Sequence, residues 1–237
     1  QKGVLMIKIN RVETEQTRCA EEDLRLAKED GTTYNTKNVN IALREVFHSK
    51  CYICENKSST SYQIEHLVPH RENAYLKYSW DNLFFACAHC NGIKSDKYNP
   101  IIDCTKVDVE KKIAFRKEGY FGADERFIFK ALDNDIETKN TVELLEAVYY
   151  ASSTVQKEFE SRLLRKHLRE DLSRFKNYIR EYEELDTKEE KEDMECLIRN
   201  ELKDSSEFTA FKRWLIRDNA KFYNDLDGFL DEGQNNA

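Results

Sequence analysis

The sequence has few prolines, no long apolar run and no internal repeat. Its two prolines, Pro69 and Pro100, both lie in the stretch that also contains two pairs of cysteines. No apolar run approaches the roughly 20 residues that a membrane-spanning helix needs. The first ten residues lack the basic end and the apolar stretch of a signal peptide. We therefore expect no membrane segment and a cytoplasmic protein.

The sequence also lacks an excess of positive charge. Its formal net charge is −7, whereas proteins that bind nucleic acid usually rely on lysine and arginine contacts to phosphates. Residues 181–195 contain nine acidic residues and two lysines, so the rest of the chain is neutral. We interpret this stretch as a solvated helix face or hinge. The charge therefore neither supports nor excludes a polyanionic substrate.

Outside residues 48–105 the sequence predicts helices. Residues 21–28 and 38–47 have helical composition, and residues 141–182 predict one long helix or two joined end to end. Apolar residues recur in this last segment at steps of three and four, which places them on one helix face: Leu164, Leu168, Leu172, Phe175, Ile179 and Tyr182. A final helix is predicted at about 206–223. We interpret the apolar face as a packing surface.

The stretch between these predicted helices contains predicted strands as well as a helix. Residues 61–68 follow a serine-rich turn, precede Pro69 and partly alternate between apolar and polar side chains, which predicts a short strand. Residues 81–86 predict a second strand, and residues 88–97 predict the first turns of a helix. The predicted fold is therefore α+β and predominantly helical, with one ββα unit.

Four of the seven cysteines form two C-x-x-C pairs that flank the ββα unit: Cys51, Cys54, Cys87 and Cys90. Without a secretory signal, this spacing favours a metal over disulfides. Four thiolates are typical of a closed, tetrahedral structural zinc site, and the 32 residues between the pairs are long enough for a functional insert. The alternative is two unrelated pairs of buried cysteines. We expect the other three to be buried, inert thiols: Cys19, Cys104 and Cys196.

Five polar residues inside or beside the insert suit hydrolysis of a phosphodiester. Oxygen ligands from Glu65 and Asn91 suit Mg²⁺ or Mn²⁺, and a neutral imidazole at His66 can take a proton from an attacking water. Asn82 has the groups either to hold the loop or to orient the imidazole. Lys94 is a candidate for substrate binding through a phosphate oxygen.

This arrangement resembles the HNH endonuclease family, whose ββα-metal motif is stapled by cysteine pairs in many members. The resemblance implies that Glu65 is the acidic ligand of the catalytic metal and that His66 is the general base. Asn82 matches the central asparagine, and Asn91 matches the last motif position, also a metal ligand. Glutamate stands where aspartate is commoner, and the last position is asparagine. Both changes keep oxygen ligands, so the metal site is expected to survive.

A narrower resemblance is to PtuB, the HNH subunit of the Septu anti-phage system, which is also found beside retrons. It is carried by residues 47–55, residues 75–83 and the helical C-terminal half. This resemblance implies an ATPase partner of the PtuA type and a nucleic-acid substrate, DNA before RNA. We accordingly predict three segments: 1–47, N-terminal and helical; 48–105, the zinc-stapled nuclease module; and 106–237, a helical region that docks the partner.

Several other interpretations stay open. The protein can be a zinc-binding module for nucleic-acid recognition or assembly without catalysis. Asn91 has the chemistry to cap the helix after the second cysteine pair, and His70 is either a loop residue or a substrate contact. Three aromatic residues either stack on bases or fill the core: Tyr75, Tyr78 and Trp80. Successive side chains of a strand point to opposite faces, so Glu65 and His66 serve one site only if the chain bends.

Overall fold

The computed structural model describes residues 8–119 and 122–219. The described residues divide into two compact units, one formed by residues 9–107 and 134–148, and the other mainly by residues 108–119, 122–133 and 149–219. The α+β, predominantly helical fold is confirmed. Segment 48–105 lies within the first unit, and the three predicted segments remain a prediction.

The first unit begins with two helices, α1 (Glu15–Asp30) and α2 (Lys37–Val46). Thr14 caps α1 in a reciprocal capping box with Thr17, which satisfies free N–H groups of the first turn. Both helices are present where helical composition predicted them, although α1 starts six residues earlier than predicted. Their buried residues recur at steps of three and four, which gives each helix one core face.

The predicted ββα unit is present. Strands β1 (Tyr62–His66) and β2 (Leu83–Cys87) pair in antiparallel register, with Ile64 opposite Phe85. A short helix α3 (Ala74–Lys77) lies between them, and α4 (Ala88–Lys94) follows β2 directly. All five residues of β2 are buried. The ββα unit is therefore part of the core of the first unit.

The prediction of helix after residue 105 is wrong for one stretch. A short helix α5 (Val109–Lys112) leads into an antiparallel hairpin, β3 (Ile113–Glu118) and β4 (Arg126–Ala131). Phe127 and Phe129 are buried on β4 at a spacing of two, which is the strand signal that helical composition around it obscured. The hairpin packs on Phe211 through ring contacts of 5.4–5.7 Å.

Four further helices complete the described chain: α6 (Ile136–Tyr149), α7 (Val155–Glu184), α8 (Lys188–Glu201) and α9 (Thr209–Arg217). The apolar face of α7 is confirmed as a packing surface, since Phe175 and Ile179 form a buried cluster with Ile198, Leu202 and Ile216. The acidic stretch spans the end of α7 and the start of α8 and is mostly exposed. Residues 220–223 of the predicted last helix lie outside the described residues.

Within the described part of the chain, no helix has both the length and the apolar character to cross a membrane.

Candidate active site and zinc centre

The two cysteine pairs come together at one point of the first unit. The four sulfur atoms lie within 4.8 Å of one another, and all four cysteines are buried. Cys54 Sγ and Cys87 Sγ are 3.9 Å apart, close to the spacing of about 3.8 Å that tetrahedral Zn–S bonds of about 2.3 Å impose. The residues therefore fit a structural zinc ion, and the alternative of two unrelated pairs is wrong.

The folding of the chain around β2 explains this convergence. Cys87 is the last residue of β2 and Cys90 lies in the first turn of α4. The first pair is fastened to the same strand, because the backbone N–H of Tyr52 donates to the carbonyl of Phe85 over 3.0 Å. Hydrogen bonds from the other three thiols lower the pKa of Cys87, whereas burial raises the pKa of Cys90. A metal must therefore displace protons from this cluster when it binds.

The remaining cysteines only partly match the expectation. Cys104 is buried, and burial raises its pKa to about 12, so its thiol is inert. The expectation of burial is wrong for Cys19 and Cys196, which are exposed. Cys19 lies on α1 but outside the buried positions of that helix, which explains its exposure.

Glu65 lies on β1 with its side chain in the core. The residue is 6% exposed, and each carboxylate oxygen has a donor. Tyr52 Oη donates to Oε2 and Lys94 Nζ donates to Oε1, each over 2.6 Å. Burial raises the pKa of Glu65, and the ammonium of Lys94 opposes that shift. The contact with Tyr52 was not anticipated, and no sequence spacing signals it.

His66 is held by its backbone environment in a defined orientation. Its Nε2 lies 3.0 Å from the carbonyl oxygen of Lys77. A carbonyl can only accept, so Nε2 carries the proton and the neutral ring offers Nδ1 as a proton acceptor. Burial lowers the pKa of His66, which keeps the imidazole neutral at pH 7. The geometry and the protonation state both suit a general base.

The ring of His66 is flanked by two other rings. Tyr34 lies edge-on at a centroid distance of 4.8 Å, and His70 lies at 4.7 Å. The sequence spacing of four between His66 and His70 was the available signal, although His70 has no counterpart in the motif. The position of Tyr34 had no such signal, because it comes from a distant loop. His70 therefore lies in the loop after β1, where its ring contacts the candidate catalytic residue His66.

Glu65 and His66 do not converge in this arrangement. Both belong to the continuous strand β1, opposite Phe84 and Leu83 of β2, and their side chains contact different partners. Among the described residues, only Lys94 donates to both, since its Nζ also donates to the backbone carbonyl of His66 over 3.1 Å. The bend that a shared site requires is absent within β1, a described strand.

Asn82 holds the loop that follows β1. Its Oδ1 accepts from the backbone N–H of Val68 over 2.8 Å, and its Nδ2 donates to the carbonyls of Val68 and Leu76 over 2.9 and 3.0 Å. Of the two functions considered for this residue, holding the loop matches these contacts. Because the same loop leads to Lys77, Asn82 supports the carbonyl that orients His66.

Asn91 and Lys94 lie on α4 in different environments. The N-cap of α4 is Cys87, so the capping interpretation of Asn91 is wrong. Asn91 Nδ2 donates to Gln63 Oε1 over 2.7 Å, and among the described residues its Oδ1 has no partner and can serve as a metal ligand. Lys94 is 0% exposed and is engaged by Glu65. Its function in phosphate binding remains a prediction.

The three aromatic residues near the motif separate into two groups. Tyr78 is buried, with its hydroxyl donating to the carbonyl of Thr32 over 2.6 Å. Trp80 stacks against the guanidinium of Arg11 at 5.0 Å. Tyr75 is 77% exposed, with Lys28 Nζ 3.8 Å from its ring centre. Of the three, Tyr75 is the one whose side chain is mostly exposed, so it is the candidate for stacking on a base, with Lys28 against its ring.

Comparison with known proteins supports the resemblance in this part of the chain. Residues 51–97 match the family model described as HNH endonuclease. The match begins at the first cysteine of the four-cysteine cluster and includes β1, β2 and α4. No curated protein and no solved structure matches the chain.

Proposed function

We propose that this HNH-like segment hydrolyses phosphodiester bonds of nucleic acid with His66 as the general base. The observation that carries the proposal is the orientation of His66 within a segment similar to HNH endonucleases. The Lys77 carbonyl fixes the proton on Nε2 and leaves Nδ1 free to accept one.

In the proposed reaction, Nδ1 of His66 accepts a proton from a water molecule. The resulting hydroxide attacks phosphorus, the P–O ester bond breaks, and the leaving oxygen takes a proton from solvent water. His66 then releases its own proton to solvent. A lowered pKa keeps the base neutral at pH 7, and general-base catalysis contributes about 10²- to 10⁴-fold to the rate. The flanking rings of Tyr34 and His70 restrict the imidazole to one orientation.

We further propose that Asn91 and Glu65 hold a divalent ion, Mg²⁺ or Mn²⁺. Such an ion would stabilise the charge that develops on the phosphate and on the leaving oxygen. The oxygen ligands suit a hard cation, and Asn91 Oδ1 is available. In the described structure Lys94 and Tyr52 each donate to one carboxylate oxygen of Glu65, so the ion would bind Glu65 only by displacing Lys94 from Oε1.

The four-cysteine cluster is proposed to bind a structural Zn²⁺. Because Asn91 directly follows Cys90 in α4, the ion would fix the first turn of that helix. The zinc would thereby position Asn91 relative to β1 without taking part in the reaction.

We also propose, from the narrower resemblance, that the protein is a PtuB-like nuclease subunit of a Septu-type anti-phage complex. An ATPase of the PtuA type would be its partner and DNA its first candidate substrate, with RNA second. Outside residues 181–195 the chain has no net charge, which favours a partner that supplies part of the affinity for the polyanion. Under this proposal the isolated chain cleaves poorly, and full activity without the ATPase would argue against it.

The test of the nuclease function uses the full chain, with and without the ATPase, on DNA and RNA in Mn²⁺. His66→Ala should lower the cleavage rate by at least about a hundredfold. His70→Ala should cost far less, and His167→Ala, which alters a histidine in the second unit, should cost nothing measurable. Undiminished cleavage by His66→Ala would overturn the assignment of the base.

One observation favours a second candidate function. Because both oxygens of Glu65 are engaged, the segment can be a zinc-binding module that recognises nucleic acid or assembles with a partner without cutting. This alternative predicts binding with no cleavage in any divalent metal. The cleavage assay above therefore distinguishes the two functions.

A further inference from the structure

Lys94 is the only described residue that forms an ion pair with the candidate metal ligand Glu65. The Nζ–Oε1 distance is 2.6 Å, and the two side chains are 1% and 6% exposed. Lys94 lies in the last turn of α4, and Glu65 lies 29 residues earlier on β1. The ion pair is therefore a tertiary contact made by packing α4 on the hairpin.

A second donor, Tyr52, contacts the other oxygen of the Glu65 carboxylate. Tyr52 Oη donates to Oε2 over 2.6 Å, a length typical of a hydrogen bond to an ionised acceptor. Tyr52 also belongs to the first cysteine pair, C-Y-I-C. The carboxylate of Glu65 thus receives one donor from the segment of the first cysteine pair and one from the helix that follows the second pair.

This arrangement conflicts with direct binding of a cation at Glu65. A divalent ion needs a carboxylate oxygen, and at Oε1 it would meet an ammonium that is already in contact. Two cations a few ångströms apart in a buried site repel strongly, because the surroundings screen them weakly. The ion and Lys94 are therefore alternatives at the same oxygen.

We propose that Lys94 is an internal counter-ion that competes with the divalent cation for Glu65 and so lowers the affinity of the nuclease site for metal. This inference rests on the proposed function, since it takes Glu65 and Asn91 as the ligands. Lys94 keeps a second acceptor, the carbonyl of His66 at 3.1 Å, when the ion displaces it from the carboxylate. Metal binding then requires an exchange of partners and no unfolding of α4.

The test measures Mn²⁺ affinity of the zinc-loaded full chain by electron paramagnetic resonance, without nucleic acid. Lys94→Gln should bind Mn²⁺ at least about tenfold more tightly than the unmodified chain. Tyr52→Phe should also bind Mn²⁺ more tightly, by a smaller factor, because it frees Oε2 with little change of shape. Lys97→Gln removes the same charge from an exposed side chain that contacts Tyr98 and should leave the affinity within about twofold.

The outcomes separate this inference from the proposed function. Unchanged or weaker Mn²⁺ binding in Lys94→Gln, with zinc content and thermal stability retained, would overturn the competition. If Lys94→Gln does not fold, Lys94→Met removes the same charge with a side chain of similar length, and unchanged Mn²⁺ affinity in that variant would overturn the competition. If Glu65→Gln leaves Mn²⁺ binding unaltered, Glu65 is not a ligand and the proposed metal site itself fails.

Discussion

The side-chain amide of Asn82 has one favourable orientation, because its oxygen faces a donor and its nitrogen faces acceptors. Its Oδ1 faces the N–H of Val68, and its Nδ2 faces the carbonyls of Val68 and Leu76. Neither atom can be exchanged for the other without placing like groups together. The residue is 6% exposed, so water does not readily compensate for a lost partner.

Asn82→Asp is expected to lower the free energy of unfolding by about 2–3 kcal/mol at pH 7.5. The substitution keeps the shape of the side chain but turns an amide nitrogen into an oxygen that faces two carbonyls. Urea denaturation measures the loss. Asn73→Asp is the matched control, because Asn73 caps α3 through an oxygen and aspartate caps equally well. Equal stability of the two variants would contradict this explanation.

The sequence motif singled out His66 and Asn82, and the structure holds both side chains by hydrogen bonds to the backbone near the ends of β1 and β2. Their functions in catalysis stay a prediction. The motif was not sufficient to find the partners of Glu65. Lys94 reaches the carboxylate across 29 residues, and Tyr52 reaches it from the first cysteine pair. Those contacts depend on how α4 and the cysteine turn pack against β1, which no local pattern encodes.

In the second unit, the contact between His167 and Glu207 should stabilise the fold by an amount that depends on pH. His167 on α7 lies 3.3 Å, Nε2 to Oε2, from Glu207, which precedes α9. The hydrogen bond to Glu207 raises the pKa of His167 above its ordinary value of 6.5. Asp171 and Glu170 on the same helix add to the shift. The protonated ring therefore helps to hold α7 to the segment that leads into α9.

This contact should stabilise the fold most at low pH. Because the folded-state pKa is the higher one, the contribution is fully present below about pH 6.5 and is lost as the pH rises through the folded-state value. The pair is partly exposed, so the effect is expected to be at most about 1 kcal/mol. Unfolding free energies of the unmodified chain and of Glu207→Gln, measured from pH 5.5 to 8.5, should converge at high pH. A constant difference would exclude this pair as the cause.

The helices and the hairpins were not equally predictable. The long α7 repeats its apolar step over many turns, so its buried face follows from the sequence. The sequence did not predict hairpin β3–β4, because each strand is six residues long and contains charged residues that also suit a helix. A short alternation has too few repeats to outweigh helical composition.

For the whole molecule, the first unit should depend on one zinc ion per chain. Cys87→Ser should lose the zinc and unfold at a lower temperature. Zinc binding contributes about 10–16 kcal/mol to the folding free energy of zinc-finger peptides. Metal analysis and thermal denaturation measure both effects. Cys19→Ser and Cys196→Ser alter exposed thiols outside the cluster and should retain the metal. A zinc-free preparation as stable as the zinc-loaded one would contradict a structural site.

The spacing of the cysteine pairs also bears on the unfolded chain. Cys54 and Cys87 are 33 residues apart, and a metal ion that stays bound to both pairs would close the intervening chain into a loop. Closing a loop of this length removes conformational entropy worth about 3–4 kcal/mol from the unfolded state. Refolding of such a chain would begin with β1 and β2 already tethered. The search for the partner strand, usually the slow part of forming a long-range hairpin, would then be largely complete before folding starts.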